Sequence, residues 1–520
     1  MDRTTKAGWN YLSGLMLTAV TVVVGIVATP LLLRWLGDER FGAFRAATEW
    51  CGHLTLFELG LSGALAPLFA RAVSRGDSRA VRALLVTGIR GYLGVTVLML
   101  ATGVALAVAM PHLVRATSPS VASDLRWGCW ASLVGIVAMP LSPFRALAEA
   151  GQRSYLVNGL LLLQGLLVTA LGLSLAWSGW GIAGQFAAVS LGVLVFSVLL
   201  ALEGMRRYPG LRAARAEAAS LVTARRDIWN LNWPSLIRNI CGRVGLFTDN
   251  LLIAYIMGPA AVVPFFLTQR LAVLVQGQLQ SVGTASWAGL VELAFKGQTV
   301  TFNRRLIELT TLVAVVGTAA MVPIACWNER FITLWVGAGC FAGGWVTAVA
   351  AVNGFLLAIL SLWGWALSGT GHVARITPAA VVAAVLNLAV SIIGTHLFGL
   401  VGPLAGTAVA FVSVNLWYLP WLLRRLFGTS LRELFRAAAL PPCLGVPYGV
   451  CLWWCAHAHA PHGWLGLAAE MGAAAAVYLV LAWALVLRRD DREQWINRVR
   501  LILHSSFPRP VVPVAAAAPK

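Results

Sequence analysis

Charge is what this chain has least of. Only 11% of its 520 residues are Asp, Glu, Lys or Arg, where a soluble domain carries about a quarter. With 59% hydrophobic residues and a mean hydropathy of +0.79, the chain cannot cover a water-soluble globule with polar surface. Acidic residues are scarcer still, 20 against 39 Lys and Arg, for a net charge of +19. The basic residues are scattered through short connections and gathered in no one domain, which excludes a nucleic-acid-binding module. Eight cysteines are spread through apolar stretches without a disulfide framework, and read as small buried hydrophobes. The connections are too short for a sugar-binding catalytic domain and carry no acidic or metal-binding motif. An enzyme is therefore not indicated, and neither a cofactor nor a metal is implied.

What the chain does have is long apolar runs, including 12–33, 84–109, 155–176, 379–397 and 465–487. Each matches the roughly 20 residues that cross a bilayer as a helix, so the expected class is an all-α polytopic membrane protein. About fourteen spans follow, near 8–33, 41–70, 84–109, 126–148, 155–177, 180–203, 228–257, 261–291, 306–327, 340–368, 377–397, 400–423, 437–456 and 464–487. Connections then alternate between basic and nearly uncharged. One side holds Arg71 to Arg82, Arg206 to Arg226, Lys296 to Arg305, Arg424 to Arg436 and the tail from Arg488, as well as Arg3 and Lys6. The other holds Arg34, Arg40, Arg115, Arg126 and Arg330. Positive charge marks the cytoplasmic side, so both termini are read as cytoplasmic.

The sequence repeats at an interval of about 220 residues. Trp9-Asn10 returns as Trp229-Asn230, Ala146-Leu147-Ala148 as Ala366-Leu367-Ser368, and Gly181-Ile182-Ala183-Gly184 as Gly399-Leu400-Val401-Gly402. An even number of spans in each copy makes the copies parallel, related by an axis along the membrane normal, a common plan of secondary transporters. The expected organisation is an N-lobe of six spans (1–203), a basic cytoplasmic linker (204–227), a C-lobe of six (228–423), two extra spans (424–487) and a cytoplasmic tail (488–520) with a low-complexity end. The first span is too long for a cleavable signal peptide and matches span seven in the repeat. The tail interleaves Trp495, Ile496, Val499, Leu501 and Ile502 with charge, the pattern of an interfacial helix.

Ionisable residues inside spans are the main functional signal. Arg45, Arg238, Arg243 and Arg270 fall within apolar runs, each at a cost of roughly 2.5–3.5 kcal/mol if left at a helix centre. A hydrated interior removes that cost. In span seven Asn232, Asn239, Arg243 and Asn250 form one polar stripe at helical spacing. In span eight Arg270 has Gln269, Gln276 and Gln280 beside its face. In span two Arg45, Glu49 and His53 share a stripe while Glu58 points elsewhere; in span one Tyr11, Gly14, Thr18, Thr21, Gly25 and Thr29 make a small, hydroxylated face. Glu49, Glu58 and Asp249 are candidates for ion coupling. Glu49 beside Arg45 reads equally well as a structural ion pair, Asp249 as a partner of Arg238, and Arg90 as a residue reaching the interface. The excess of cations predicts an anionic passenger, because guanidinium groups hold phosphate through paired, charge-assisted hydrogen bonds. Neighbouring amides and tryptophans suit a sugar. Cys451, Cys455, His457, His459 and His462 match no zinc spacing. Prolines 30, 67, 140, 143, 234, 264 and 323 are expected kinks.

Several stretches resemble a known family. Leu36-Gly37-Asp38-Glu39-Arg40-Phe41-Gly42-Ala43-Phe44, followed by Phe57-Glu58-Leu59-Gly60-Leu61, is similar to the first-half signature of polysaccharide flippases. These are the Wzx-type members of the multidrug/oligosaccharidyl-lipid/polysaccharide exporter superfamily. Asp249 to Ile253 with Met257 to Phe265 resembles the second-half counterpart, and Gly399 to Ala408 the opening of span twelve. The resemblance implies two six-helix lobes that rock about a central cavity. It implies a polyprenyl-pyrophosphate-linked oligosaccharide moved from the cytoplasmic to the outer leaflet of a bacterial inner membrane. Membrane lipids and other polysaccharide-assembly proteins are the implied partners, and a drug–cation antiporter of the same superfamily is the alternative.

Overall fold

The computed structural model describes residues 3–58, 60–208, 237, 240–243, 245, 248–458, 463–486 and 492. Among these every regular element is helical, as a bilayer requires of a chain that does not close into a barrel. The first half holds α1 (Arg3–His53), α2 (Leu61–Ser74), α3 (Ser78–Leu113), α4 (Pro119–Ile136), α5 (Pro143–Ala150), α6 (Ser154–Trp177) and α7 (Gly181–Arg207). The second half holds α8 (Asp249–Met257), α9 (Val262–Thr268), α10 (Arg270–Phe295), α11 (Thr299–Trp335), α12 (Gly344–Gly369), α13 (Val373–Phe398), α14 (Gly402–Ala410) and α15 (Leu416–Phe427). Two further helices follow, α16 (Leu431–Ala458) and α17 (Gly463–Leu485).

Nine described helices are long and apolar enough to cross a membrane, and eleven if each bent pair counts as one. Two continuous stretches, Leu12–Glu58 and Val373–Phe427, run for 47 and 55 residues, more than twice the ~20 of one crossing. Each carries parts of two expected spans. Span seven lies only partly within the described residues, as do the linker and the tail.

The helices start and stop for local reasons. Asp77 accepts from the Ala80 amide at 2.9 Å and opens α3, satisfying one of the free amides of a first turn. Asp124 of α4 accepts from the Ile182 and Ala183 amides at 2.8 and 3.2 Å and so caps α7 across the fold. Ser118 caps α4 with Pro119 at its first position, where the missing amide costs nothing.

The repeat extends to the backbone. Gly37 (φ 74°, ψ 168°) divides α1 between spans one and two, and Gly258 (φ 96°, ψ 161°) ends α8 between spans seven and eight. This region of backbone space is open essentially to glycine alone. Span one therefore turns at Gly37, while Pro30 lies inside the helix before it. Pro67 and Pro323 likewise sit within continuous helices. The expected kink at Pro140 and Pro143 does form, with α4 and α5 set at 47°.

Spans two and eight, expected to kink at Pro67 and Pro264, break at other points, and Pro264 lies inside α9. Span two is interrupted by a 3-10 turn, Leu54–Glu58, before α2 begins after the left-handed Gly60. Span eight bends by 53° at Gln269. A break frees backbone groups that water cannot reach, and the second half supplies partners. Asn328 donates to the Thr268 carbonyl at 2.7 Å, and the Thr268 hydroxyl accepts from the Ala342 amide at 2.8 Å.

The two halves meet at the end where Gly37 and Gly258 turn. A Cβ on Gly42 would lie 1.8 Å from the Pro259 carbonyl oxygen, so the first-half and second-half signature stretches pack backbone to backbone. Trp335 donates to the Ile26 carbonyl at 2.7 Å, and Arg115 lies over the Tyr255 ring at 4.6 Å. At the opposite, basic end, contacts close each half on itself. Arg153 pairs with Glu203 at 2.7 Å, and Asn303 donates to the Phe427 carbonyl at 2.8 Å.

Candidate anion site between the halves

The second limb of α1, after Gly37, carries Phe41, Arg45 and Glu49 one turn apart. The break in span eight carries Phe266 before it and Arg270 after it. These two segments face each other. The Arg45 guanidinium sits 3.9 Å from the centroid of Phe266 and 5.6 Å from that of Phe41, and the two rings meet edge to face at 6.3 Å. Arg270 lies 6.0 Å from the same Phe266 centroid. Its Nη2 is 3.4 Å from the position a Cβ on Gly25 would take. The small face of span one thus makes room for a guanidinium. Its hydroxyls are turned inward along their own helix, Thr18 to the Gly14 carbonyl at 3.0 Å and Thr29 to that of Gly25 at 2.7 Å. Phe266 organises both cations, each contact with the ring being worth about 0.5–2 kcal/mol according to its desolvation.

Arg45 and Glu49 do not form the ion pair that their spacing allows. Arg45 turns to Phe266, and Glu49 accepts from Asn250 of α8 through Oε1. Four buried polar atoms in this region have no hydrogen-bond partner: Arg45 Nε, Glu49 Oε2, Trp50 Nε1 and Asn250 Oδ1. Native proteins leave few buried polar atoms so, and a cluster of them marks strain or a ligand-facing surface. Asp249, half-buried, opens α8 beside Asn250.

Arg243 has a different setting. Its Nη2 donates at 2.9 Å to both the Gly52 carbonyl and the Thr55 hydroxyl. Gly52 lies in the last turn of α1, where carbonyls lack intrahelical partners and a cation is favoured. Arg243 therefore stabilises the break in span two from the other half of the molecule.

The remaining expected residues divide. Glu58 accepts from the buried Tyr92 hydroxyl within the first half and stands apart from the arginines. Gln280 donates to Ser361 at 2.9 Å. Gln276 is half-buried, and Gln269 occupies the bend itself. Arg238, Asn232 and Asn239 lie outside the described residues. Cys451 and Cys455 are exposed, and His457 stacks on Trp453 at 4.0 Å; His459 and His462 lie outside the described residues. Among the described residues no group of three or more His, Cys, Asp or Glu is placed to hold a metal.

Sequence reasoning did not single out Phe266, because an aromatic in an apolar span carries no signal until its neighbours are known. It also missed a polar knot in the second half. Asn387 of α13 donates to the Gly245 carbonyl at 2.7 Å and to Thr407 at 3.2 Å, while Ser391 donates to Asn387 and to the Pro403 carbonyl. An asparagine in an apolar span costs free energy unless bonded, and that cost was the available signal.

The chain is similar in fold to several solved transporters. A lipid II flippase, MurJ, in an inward closed conformation aligns with a TM-score of 0.69 at 12% identity, over 92% of this chain and 100% of that one. The eukaryotic MATE transporter AtDTX14 aligns with a TM-score of 0.56 at 15% identity, over 84% and 98%. A MOP superfamily transporter from Pyrococcus furiosus, described as having a binding pocket of reverse polarity, aligns with a TM-score of 0.57 at 16% identity, over 81% and 96%. No curated protein sequence matches the chain. The polysaccharide biosynthesis protein family model matches residues 7–288, a stretch that holds both signature segments, the Gly37 and Gly258 turns and the three arginines described above. The chain belongs to the polysaccharide biosynthesis protein family and has the polytopic helical fold of the MOP superfamily transporters.

Proposed function

We propose that the chain is an alternating-access flippase for an anionic, polyprenyl-pyrophosphate-linked oligosaccharide. It moves this substrate from the cytoplasmic to the outer leaflet of a bacterial inner membrane, for a surface polysaccharide such as the O-antigen of lipopolysaccharide. Residues 1–203 and 228–423 act as two lobes, with the last two spans outside them. The observation that carries the reading is the convergence of Arg45 and Arg270, one from each half, on Phe266. Two permanent cations at the junction of two repeats suit a diphosphate, and motion of one half against the other changes the side from which they are reached. The pyrophosphate is held by Arg45 and Arg270, with Arg238 as a further candidate. The sugar meets the amides of Asn250, Gln269 and Gln276. Glu49 and Asp249, at the same junction, are the candidates for coupling to a cation gradient. The role is transport and requires no covalent step by the protein.

The test is translocation of lipid-linked oligosaccharide in a strain lacking its own flippase, comparing the wild type with Arg270→Ala at matched membrane levels. Loss of outward transport, with carrier accumulating inside, supports the reading. Full activity of Arg270→Ala removes that arginine from the mechanism. A wild type that moves no lipid-linked sugar but expels cationic dyes identifies an antiporter instead.

A further inference from the structure

A cavity lies away from the arginine site. It measures about 660 Å³ and is walled by the basic-side halves of α11, α16 and α17. Its two ends differ in chemistry. At the connection level stand Arg304, Glu433, Arg436 and Trp483 of the last turn of α17; deeper lie Leu312, Val316, Leu440 and Leu479. On the α11 wall Arg304 and Val316 stand twelve residues apart, or roughly 18 Å at 1.5 Å per residue. That is close to half of the ~30 Å hydrocarbon core, so the cleft runs from headgroup level to the bilayer midplane.

The charges at its mouth are sorted. Glu308 is taken by Arg305 at 2.8 Å and is largely covered, whereas Arg304 reaches it only at 3.8 Å and stays 58% exposed. Arg436 and Glu433 are exposed, one turn apart on α16. Two cations and two carboxylates thus line the polar end, Glu308 held by Arg305 and Glu433 facing the opening. A purely anionic headgroup would satisfy the arginines but bring its charge against Glu433. A polyprenyl carrier would fill the apolar end and offer Glu433 no cation. We infer that the cleft binds a zwitterionic aminophospholipid of the cytoplasmic leaflet, its phosphate on Arg304 and Arg436, its ammonium on Glu433 and one acyl chain along Leu312, Val316, Leu440 and Leu479. This site is independent of the transport reading, since none of its residues belongs to the arginine site.

Native mass spectrometry of the delipidated full-length protein tests it, titrating phosphatidylethanolamine against phosphatidylglycerol of the same acyl chains. The wild type is expected to retain the ethanolamine lipid over the glycerol lipid by about fivefold, the scale of one partly exposed ion pair. Glu433→Gln removes the preference while keeping both lipids bound, and Arg436→Ala weakens both. Leu440→Trp fills the apolar end and lowers retention of both with every charge in place, which separates a filled cleft from a misfolded variant. Equal retention by the wild type, or a preference untouched by Glu433→Gln, overturns the inference. So does displacement of the phospholipid by undecaprenyl phosphate, which would assign the cleft to the carrier's tail.

Discussion

A guanidinium in an apolar span is an energetic anomaly whose resolution depends on its neighbours. Arg45 and Arg270 resolve theirs on one aromatic ring, and Arg243 on the open carbonyl end of a helix. They should accordingly respond differently to substitution. Arg270→Ala is expected to insert normally and to lose transport by about tenfold or more, the worth of one charge-assisted hydrogen bond to a substrate phosphate. The check is substrate translocation at equal membrane abundance. Arg243→Ala removes the charged donor that ties Gly52 and Thr55 to the other half, leaving Gly52 only the Thr55 hydroxyl at 2.7 Å, so it should lose transport and also about 1–3 kcal/mol of stability. A thermal unfolding midpoint in detergent separates the two effects, since Arg270→Ala loses only a ring contact at 6.0 Å and should lower it less. Arg90→Ala, at an exposed position on α3, should be mild in both assays.

At the scale of elements, two glycines in the same unusual conformation turn the chain at equivalent points of the two copies. Each of Gly37→Ala and Gly258→Ala forces a side chain into backbone space reserved for glycine and should cost roughly 1–3 kcal/mol. Equal unfolding midpoints for wild type and variants would show that the turns relax without cost. The break in span eight makes a separate prediction. Asn328→Ala leaves the Thr268 carbonyl buried without its donor and should destabilise by about 1–3 kcal/mol, with greater protease sensitivity at the bend. The sequence placed kinks in both spans at Pro67 and Pro264, and the actual break points escaped it for one reason. A bent helix with its freed groups satisfied elsewhere has the same apolar composition as a straight one, and its partners, Arg243 and Asn328, are remote in sequence.

For the whole molecule, the halves are joined at one end by backbone packing of Gly42 on Pro259 and by the Glu49–Asn250 hydrogen bond. Under an alternating-access cycle this junction must part. Arg115→Cys with Tyr255→Cys, which face each other across this junction, in a variant lacking the native cysteines and tethered by a short bis-methanethiosulfonate, should stop translocation, and reduction should restore it. Transport unaffected by the tether would mean that the halves need not separate there. If Glu49 couples proton movement to transport, Glu49→Gln, which keeps an acceptor for Asn250, should remove the pH dependence of transport while leaving the protein folded.

The sequence by itself determined the class, an all-α polytopic membrane chain, because that depends on composition and apolar length; fourteen spans, their sidedness and the two-lobe repeat are its expectations. Apolar length sets a crossing, Lys and Arg in the connections set its direction, and duplicated Gly-rich stretches announce duplicated halves. It also found Arg45, Arg243 and Arg270, since a charge in an apolar run is costly wherever it points. Only the tertiary structure decided what each charge meets. Helical spacing offered Arg45 to Glu49, yet Phe266 and Asn250, more than 200 residues away, took one each. It pointed Glu58 away from Arg45 and Glu49, and Tyr92 of α3 holds it in the first half. Periodicity reports which residues share a face of one helix; which helix lies opposite is fixed by the packing of all of them.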